Sequence, residues 1–135
     1  MMLYLTSKWD QNDGSFPVME NAEKNIILIK FGLAIQKIIS ENKSIAKENK
    51  LKGKKDHTLI TSLRKLSASS GVEYAIIQRT VAGKKNTSLT TIIAIAEGFG
   101  ISELELFKYY SQVTDQEIKS YQVLSKKSKA SKKKK

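Results

Sequence analysis

Residues 63–107 read LRKLSASSGVEYAIIQRTVAGKKNTSLTTIIAIAEGFGISELELF, and the spacing of apolar residues inside this stretch decides the fold class. They recur at intervals of three and four rather than in strict alternation, which is the period of a helix with one buried face. Thr61 or Ser62 caps a helix of about two turns that carries Leu63 and Leu66 and stops at Ser69, Ser70 and Gly71. A second short helix is expected over 73–82, with Val72, Ile76, Ile77 and Val81 on its apolar side and Gly83 at its end. After the polar turn Lys84, Lys85, Asn86 and Thr87, Ser88 caps a helix over 89–99 whose Leu89, Ile92, Ile93, Ala96 and Phe99 fall on one predicted inner face. Ser102 and Glu105 have the spacing of a capping box, and Ile101 with Leu106 that of a hydrophobic staple. The helix they open is expected to turn Leu104, Leu106, Phe107 and Tyr110 inward and to end near 110 or 111.

Working outward, Ile27, Phe31, Ala34, Ile35 and Ile38 define an amphipathic helix from 25 to about 42. Its period collapses over 43–57, where six lysines, two acids and Gly53 make a basic insert that is helical at most in part. On the other side, Thr114 and Glu117 repeat the capping-box spacing ahead of Ile118, Tyr121 and Leu124, so a C-terminal helix is expected within 112–124. The two ends read differently. Residues 1–24 contain Asn, Asp, Gly, Ser and Pro17 without a period and are expected to be loosely ordered. Residues 125–135 are expected to be a disordered lysine tail. The fold class is therefore all-α: a single domain over 25–111, a helix after it, and two extended ends.

The formal charge of +11 points to a polyanionic partner. Its distribution is uneven: the seven lysines of 126–135 account for the drop from +11 to +4 when that segment is set aside. The tail thus reads as an electrostatic arm and the remainder as mildly basic. With no Cys there is no disulfide or thiolate metal site, and a reducing cytoplasmic setting is expected. His57, the only imidazole, sits in a polar stretch and reads as a solvated side chain, not as a ligand or general base. The longest apolar run, 26–29, is far short of the ~20 residues a membrane span needs. No nucleophile lies beside a base, and the Gly-Lys pairs at Gly53 and Gly83 lack the rest of a phosphate-loop pattern. No catalytic residues, metal or cofactor are expected, and the chain does not read as an enzyme.

Two short helices joined at Gly71, then a basic loop and two more packed helices, are the parts of a helix-turn-helix domain. The stretch 63–107 resembles the phage-repressor and Cro type, also called the xenobiotic-response-element family. In that resemblance Gly71 stands at the turn, Leu66, Val72 and Ile77 pack around it, and Gly83 to Ser88 form the family's basic loop. Phe31, Gly32, Ile35, Ile38 and Glu41 look like its first helix, with 43–57 as an interruption. Ser67, Ser70 and Thr80 occupy places that are small or apolar in the family, and each is expected to loosen the core slightly. Leu63 replaces a Gln that touches phosphate there, leaving Arg64 as the substitute.

The resemblance implies a reading helix over 73–82 that presents Glu73, Tyr74, Ala75, Gln78 and Arg79 to the major groove of double-stranded DNA while Val72, Ile77 and Thr80 face inward. Arg pairs in bidentate fashion with guanine O6 and N7, and Gln with adenine, so Gln78 and Arg79 are the foremost base contacts. Arg64, Lys84, Lys85, Asn86 and Thr87 are the implied phosphate contacts, because lysines and backbone N–H groups at a helix start suit anionic oxygens. The family usually binds as a homodimer, which points to the region after Ser102. Two other readings stay open: an antitoxin or partner-binding adaptor whose DNA contact is only autoregulatory, and a non-specific nucleic-acid binder working through 43–55 and the tail.

Overall fold

The computed structural model describes residues 20–54 and 58–133, and its elements are all helices: α1 (Asn21–Leu51), α2 (Leu63–Ser70), α3 (Tyr74–Val81), α4 (Leu89–Phe99), α5 (Glu103–Gln112) and α6 (Asp115–Lys133). The expectations for 1–19 and for His57 fall outside the described residues. None of the described helices is long and apolar enough to cross a membrane.

Helices α2, α4, α5 and α6 start where the sequence supplies a side-chain cap, whereas α3, preceded by Glu73, has none. Ser62 Oγ accepts from the Lys65 N–H at 3.1 Å, which decides between Thr61 and Ser62, and Ser88 Oγ accepts from Thr91 N–H at 3.3 Å. Ser102 Oγ accepts from the Glu105 N–H, and at Thr114 the box is reciprocal, with Glu117 Oε1 accepting from the Thr114 N–H. The stops are equally local: Gly71 and Gly100 take the left-handed conformation just after α2 and α4, where a side chain would be strained.

The boundaries differ from expectation at both ends of the chain. Helix α1 begins at Asn21, so 21–24 are not loose, and it continues past 42 to Leu51, so most of the basic insert is helix. Between Ser40 and Leu51 there is no Gly or Pro, and Lys, Glu and Ala propagate a helix once it has been nucleated. It ends at Gly53, which bonds back to the Lys50 carbonyl. Helix α6 likewise starts at Asp115 and runs to Lys133, so 125–133 are helix and not a disordered tail, while 134–135 lie outside the described residues. The same reasoning applies: 115–133 holds only residues that tolerate a helix interior, and the net repulsion of its lysines is insufficient to break one.

The core is built from Phe31, Ile35, Ile38 and Ile39 of α1, with Ile60, Leu66, Ile77, Val81, Ile95, Ala96 and Leu106. Ile35, Leu66, Ile77, Ile95 and Leu106 are fully buried, each removing enough apolar surface from water to contribute roughly 1.5–3 kcal/mol. Three predicted core residues are not there. Leu89 is 66% exposed, and α4 instead buries Ile95, one position off the predicted stripe. Leu104 and Phe107 lie outward on α5, 76% and 43% exposed, leaving Leu106 as that helix's fully buried anchor. Two of these exposed residues lie at the starts of their helices: Leu89 is the first residue of α4 and Leu104 the second of α5, while burial in α4 concentrates at Ile95, Ala96 and Gly98.

Helix α1 touches α3, α5 and α6, while α2 packs on α3 and α4. Two glycines permit the closest approaches. A Cβ at Gly32 would collide with the Val81 carbonyl oxygen and crowd that of Thr80 at 3.0 Å, and one at Gly98 would stand 2.7 Å from Ser70 Cβ. Helix α6 is joined to α1 through a second small cluster, Ala34, Val113 and Ile118, and by the Lys37–Glu117 ion pair at 3.0 Å. One turn further along α6, the Tyr121 hydroxyl donates to the Ala82 carbonyl at 2.8 Å, tying α6 to the end of α3.

Two outcomes follow from these contacts. Gly32→Ala is expected to cost about 3 kcal/mol or more in urea unfolding, the upper range for overpacking, because the obstacle is backbone. Gly53→Ala, strained in φ but with open space around it, should cost only about 1–2 kcal/mol. The second outcome concerns acid. The Lys37 ammonium, hydrogen-bonded to Glu117, holds that carboxyl below its ordinary 4.5, helped by the Thr114 N–H. Glu117 thus contributes stability above the unfolded value that is lost as pH falls through the folded one. Urea midpoints followed from about pH 6 to about pH 3 should decline less steeply in Glu117→Gln than in the parent.

Candidate nucleic-acid interface

Helix α3 is short, and its orientation is fixed from one side only. Ile77 is fully buried, Thr80 is 1% exposed and Val81 lies at the Gly32 crossing, while Val72 packs on the core edge just before the helix. With 3.6 residues per turn, that inner side leaves Ala75, Gln78 and Arg79 facing solvent, and all three are exposed, as is Glu73 just before the helix. Glu73 is the N-cap residue, one position before the helix. Among the described residues no hydrogen bond or ion pair engages the Gln78 or Arg79 side chain, so neither is committed to an internal partner such as Glu73.

The three residues expected to loosen the core do the opposite. Ser67 Oγ donates to the Val72 carbonyl at 2.7 Å, and Ser70 Oγ accepts from the Val72 N–H at 3.2 Å, so both stitch the turn that sets the angle between α2 and α3. Thr80 Oγ1 donates to the Ile76 carbonyl at 2.8 Å and lies 3.1 Å from Thr87 Oγ1. A buried hydroxyl is costly only when unpaired, and here it ties the loop 84–88 to α3. Ser69 Oγ adds a 2.6 Å bond to the Gly98 carbonyl, holding α2 to α4.

Arg64 and Tyr74 are brought together: the guanidinium lies over the ring, 4.4 Å from its centroid. Tyr74 is half-buried and serves as a platform for Arg64, so the sequence-predicted base contact and the sequence-predicted phosphate contact form one unit at the start of α3. Lys84 and Asn86 are exposed at the other end of α3, with Lys85 and Thr87 half-buried between them. Thr87 is occupied by its bonds to Thr80 and to the Lys85 carbonyl, which makes it a support for the loop more than a free donor. The interface thus has exposed side chains along the middle of α3 and a cation at each end.

No family model, curated protein or solved structure matches the chain. The assignment of these side chains to a partner therefore rests on their chemistry and placement alone.

Two lysines that the sequence assigns to the basic insert and to the C-terminal tail border this surface. Lys43 shares a cleft of about 600 Å³ with Gln36, Ser40, Ser62, Arg64 and Tyr74. Lys126 shares another, of about 420 Å³, with Lys84, Gly83 and Tyr121.

Replacing the Thr80 hydroxyl by a methyl tests the loop's attachment. Thr80→Val should lower stability by about 1 kcal/mol and speed amide hydrogen exchange at 85–88 more than within α2. Unchanged exchange in that loop would show that the Thr80–Thr87 contact does not hold it.

Proposed function

We propose that the chain is a sequence-specific DNA-binding transcriptional regulator of the phage-repressor and Cro type, a helix-turn-helix domain whose reading helix is α3. The observation that carries this reading is that α3 is clamped through Ile77, Thr80 and Val81 while Gln78 and Arg79 stand exposed on its other side, without a partner among the described residues. A helix of this size fits the major groove, and these two side chains are the types that make bidentate pairs with purines. Arg64 on its Tyr74 platform, with Lys84, Lys85 and Asn86 at the far end, is spaced to hold phosphates on either side of the groove. In this reading Glu73 and Ala75 line the approach to the bases, and Tyr74 and Thr87 act chiefly by positioning their neighbours.

The exposed apolar residues Leu104 and Phe107 on α5 favour a protein contact as well. A second copy of the chain docked there gives the homodimer that a two-fold DNA site needs. An antitoxin-like or adaptor role would use the same apolar pair for a different chain, and it predicts a stable complex in which DNA binding is secondary.

Selection of bound sequences from a random duplex pool, at stated salt, is the direct test, and an enriched motif is the expected outcome. Arg79→Ala should then cost about 1–3 kcal/mol, concentrated at one base pair of that motif. Deleting 126–135 should weaken binding to all duplexes alike, by lowering the salt dependence. Equal loss on selected and random DNA for Arg79→Ala would remove the reading role assigned to α3.

A further inference from the structure

Helix α1 outruns the core that it serves. Its last buried residue is Ile39, yet it continues through 40–51, about 18 Å of helix. Along that length Ile45 is 45% exposed and Leu51 83%, so burial of apolar surface does not account for the extension. Asn42 Nδ2, donating to the Ile60 carbonyl at 2.9 Å, fixes its base to the returning chain.

Lys43, Lys47 and Lys50 stand at i, i+4 and i+7 on this overhang and share one face, and all three are exposed. None is ion-paired among the described residues. The acids of the same stretch lie elsewhere: Glu41 accepts from the Tyr109 hydroxyl, and Glu48 is on a different side of the helix. Three like charges on one face repel one another, and an anion is what would relieve them. Traced back towards the core, the face passes through Ser40 and Gln36 into the cleft that also holds Ser62, Arg64 and Tyr74. The stripe therefore opens onto the start of α2 and α3.

Resting on the reading of α3 given above, we propose that the Lys43–Lys47–Lys50 stripe is a second DNA-backbone contact, an arm that follows the phosphates away from the groove occupied by α3. The overhang's length is roughly half of a ~34 Å helical turn of duplex, enough for successive phosphates along one strand. Lysine acts here as a point charge, so the arm adds affinity without sequence preference. Helix form makes it a directed arm with a fixed bearing, unlike a flexible basic tail.

The test compares the full chain with Lys43→Gln/Lys47→Gln/Lys50→Gln on a mixed-sequence DNA duplex of about three turns and on sequences enriched from the random pool. The triple variant should lower the slope of log K against log salt by about 2 to 3, and should reduce affinity roughly 10- to 100-fold near 0.1 M salt, equally on both duplexes. An unchanged slope overturns the arm. Because the chain contains no Cys, Lys47→Cys offers a unique thiol for an iron-chelate cleavage reagent, and this variant leaves the other lysines in place. Cuts clustered at a few nucleotides, at a constant distance from the enriched motif, support a fixed arm, while absent or evenly spread cutting overturns it. A normal loss for Arg79→Ala with no effect of the lysine changes rejects the arm and leaves the role of α3 standing. The converse pattern rejects that role and keeps the arm as a general phosphate contact.

Discussion

The structure depends on the contact between Gly32 and the carbonyl oxygens of Thr80 and Val81. Only a residue without Cβ lets the backbone at the end of α3 come this close to α1, and the approach seats Ile77 and Val81 against Phe31, Ile35 and Ile39. Helix α3 has eight residues and cannot hold itself in water, so its bearing is set entirely by what it is pressed against. The exposed side of α3 is therefore a consequence of a packing contact on the opposite side. Its precision comes from that contact being made by backbone, which cannot swing aside as a long side chain can.

Polar atoms complete what the apolar contact begins. Ser67, Ser70 and Thr80 sit at the helix junctions, and each finds a partner within the turn or loop it adjoins. A satisfied hydroxyl is directional where a methyl group is not, so these bonds help to define the turn angle. The aromatic platform under Arg64 works in the same manner, limiting a flexible cation to one neighbourhood.

Much of this was legible in the sequence because it is written in short-range rules. Capping residues at Ser88, Ser102 and Thr114 are read from spacing, the first cap is narrowed to Thr61 or Ser62, and the inward Phe31, Ile35 and Ile77 follow from period, whereas the outward Gln78 and Arg79 come from the family resemblance. What failed was settled by tertiary coverage or lay where no period runs. Leu89, Leu104 and Phe107 satisfy the helical period but lie beyond the reach of any neighbouring helix, a fact no local rule contains. The two lysine-rich segments carry no apolar period, so a reading based on period does not extend the helices into them. Nothing breaks the backbone between 40 and 51, and α6 likewise continues to Lys133. Thr80's pairing with Thr87 spans seven residues and a turn, so it becomes visible only once that turn has a geometry.

Helix α6 rests on little. Its buried apolar anchor is Ile118, packed in a small cluster with Ala34, Val113 and the half-buried Ile29 and Leu33, supplemented by one ion pair and the Tyr121 hydroxyl on Ala82. Regions held by so few buried groups detach at a free energy well below that of global unfolding. Departure of α6 would uncover Ala34 on α1 and leave the Ala82 carbonyl to water, without disturbing the larger cluster around Ile35 and Leu106. The chain therefore has a built-in order of disassembly, in which its carboxyl-terminal helix peels away as a unit while the frame that carries α3 stays intact.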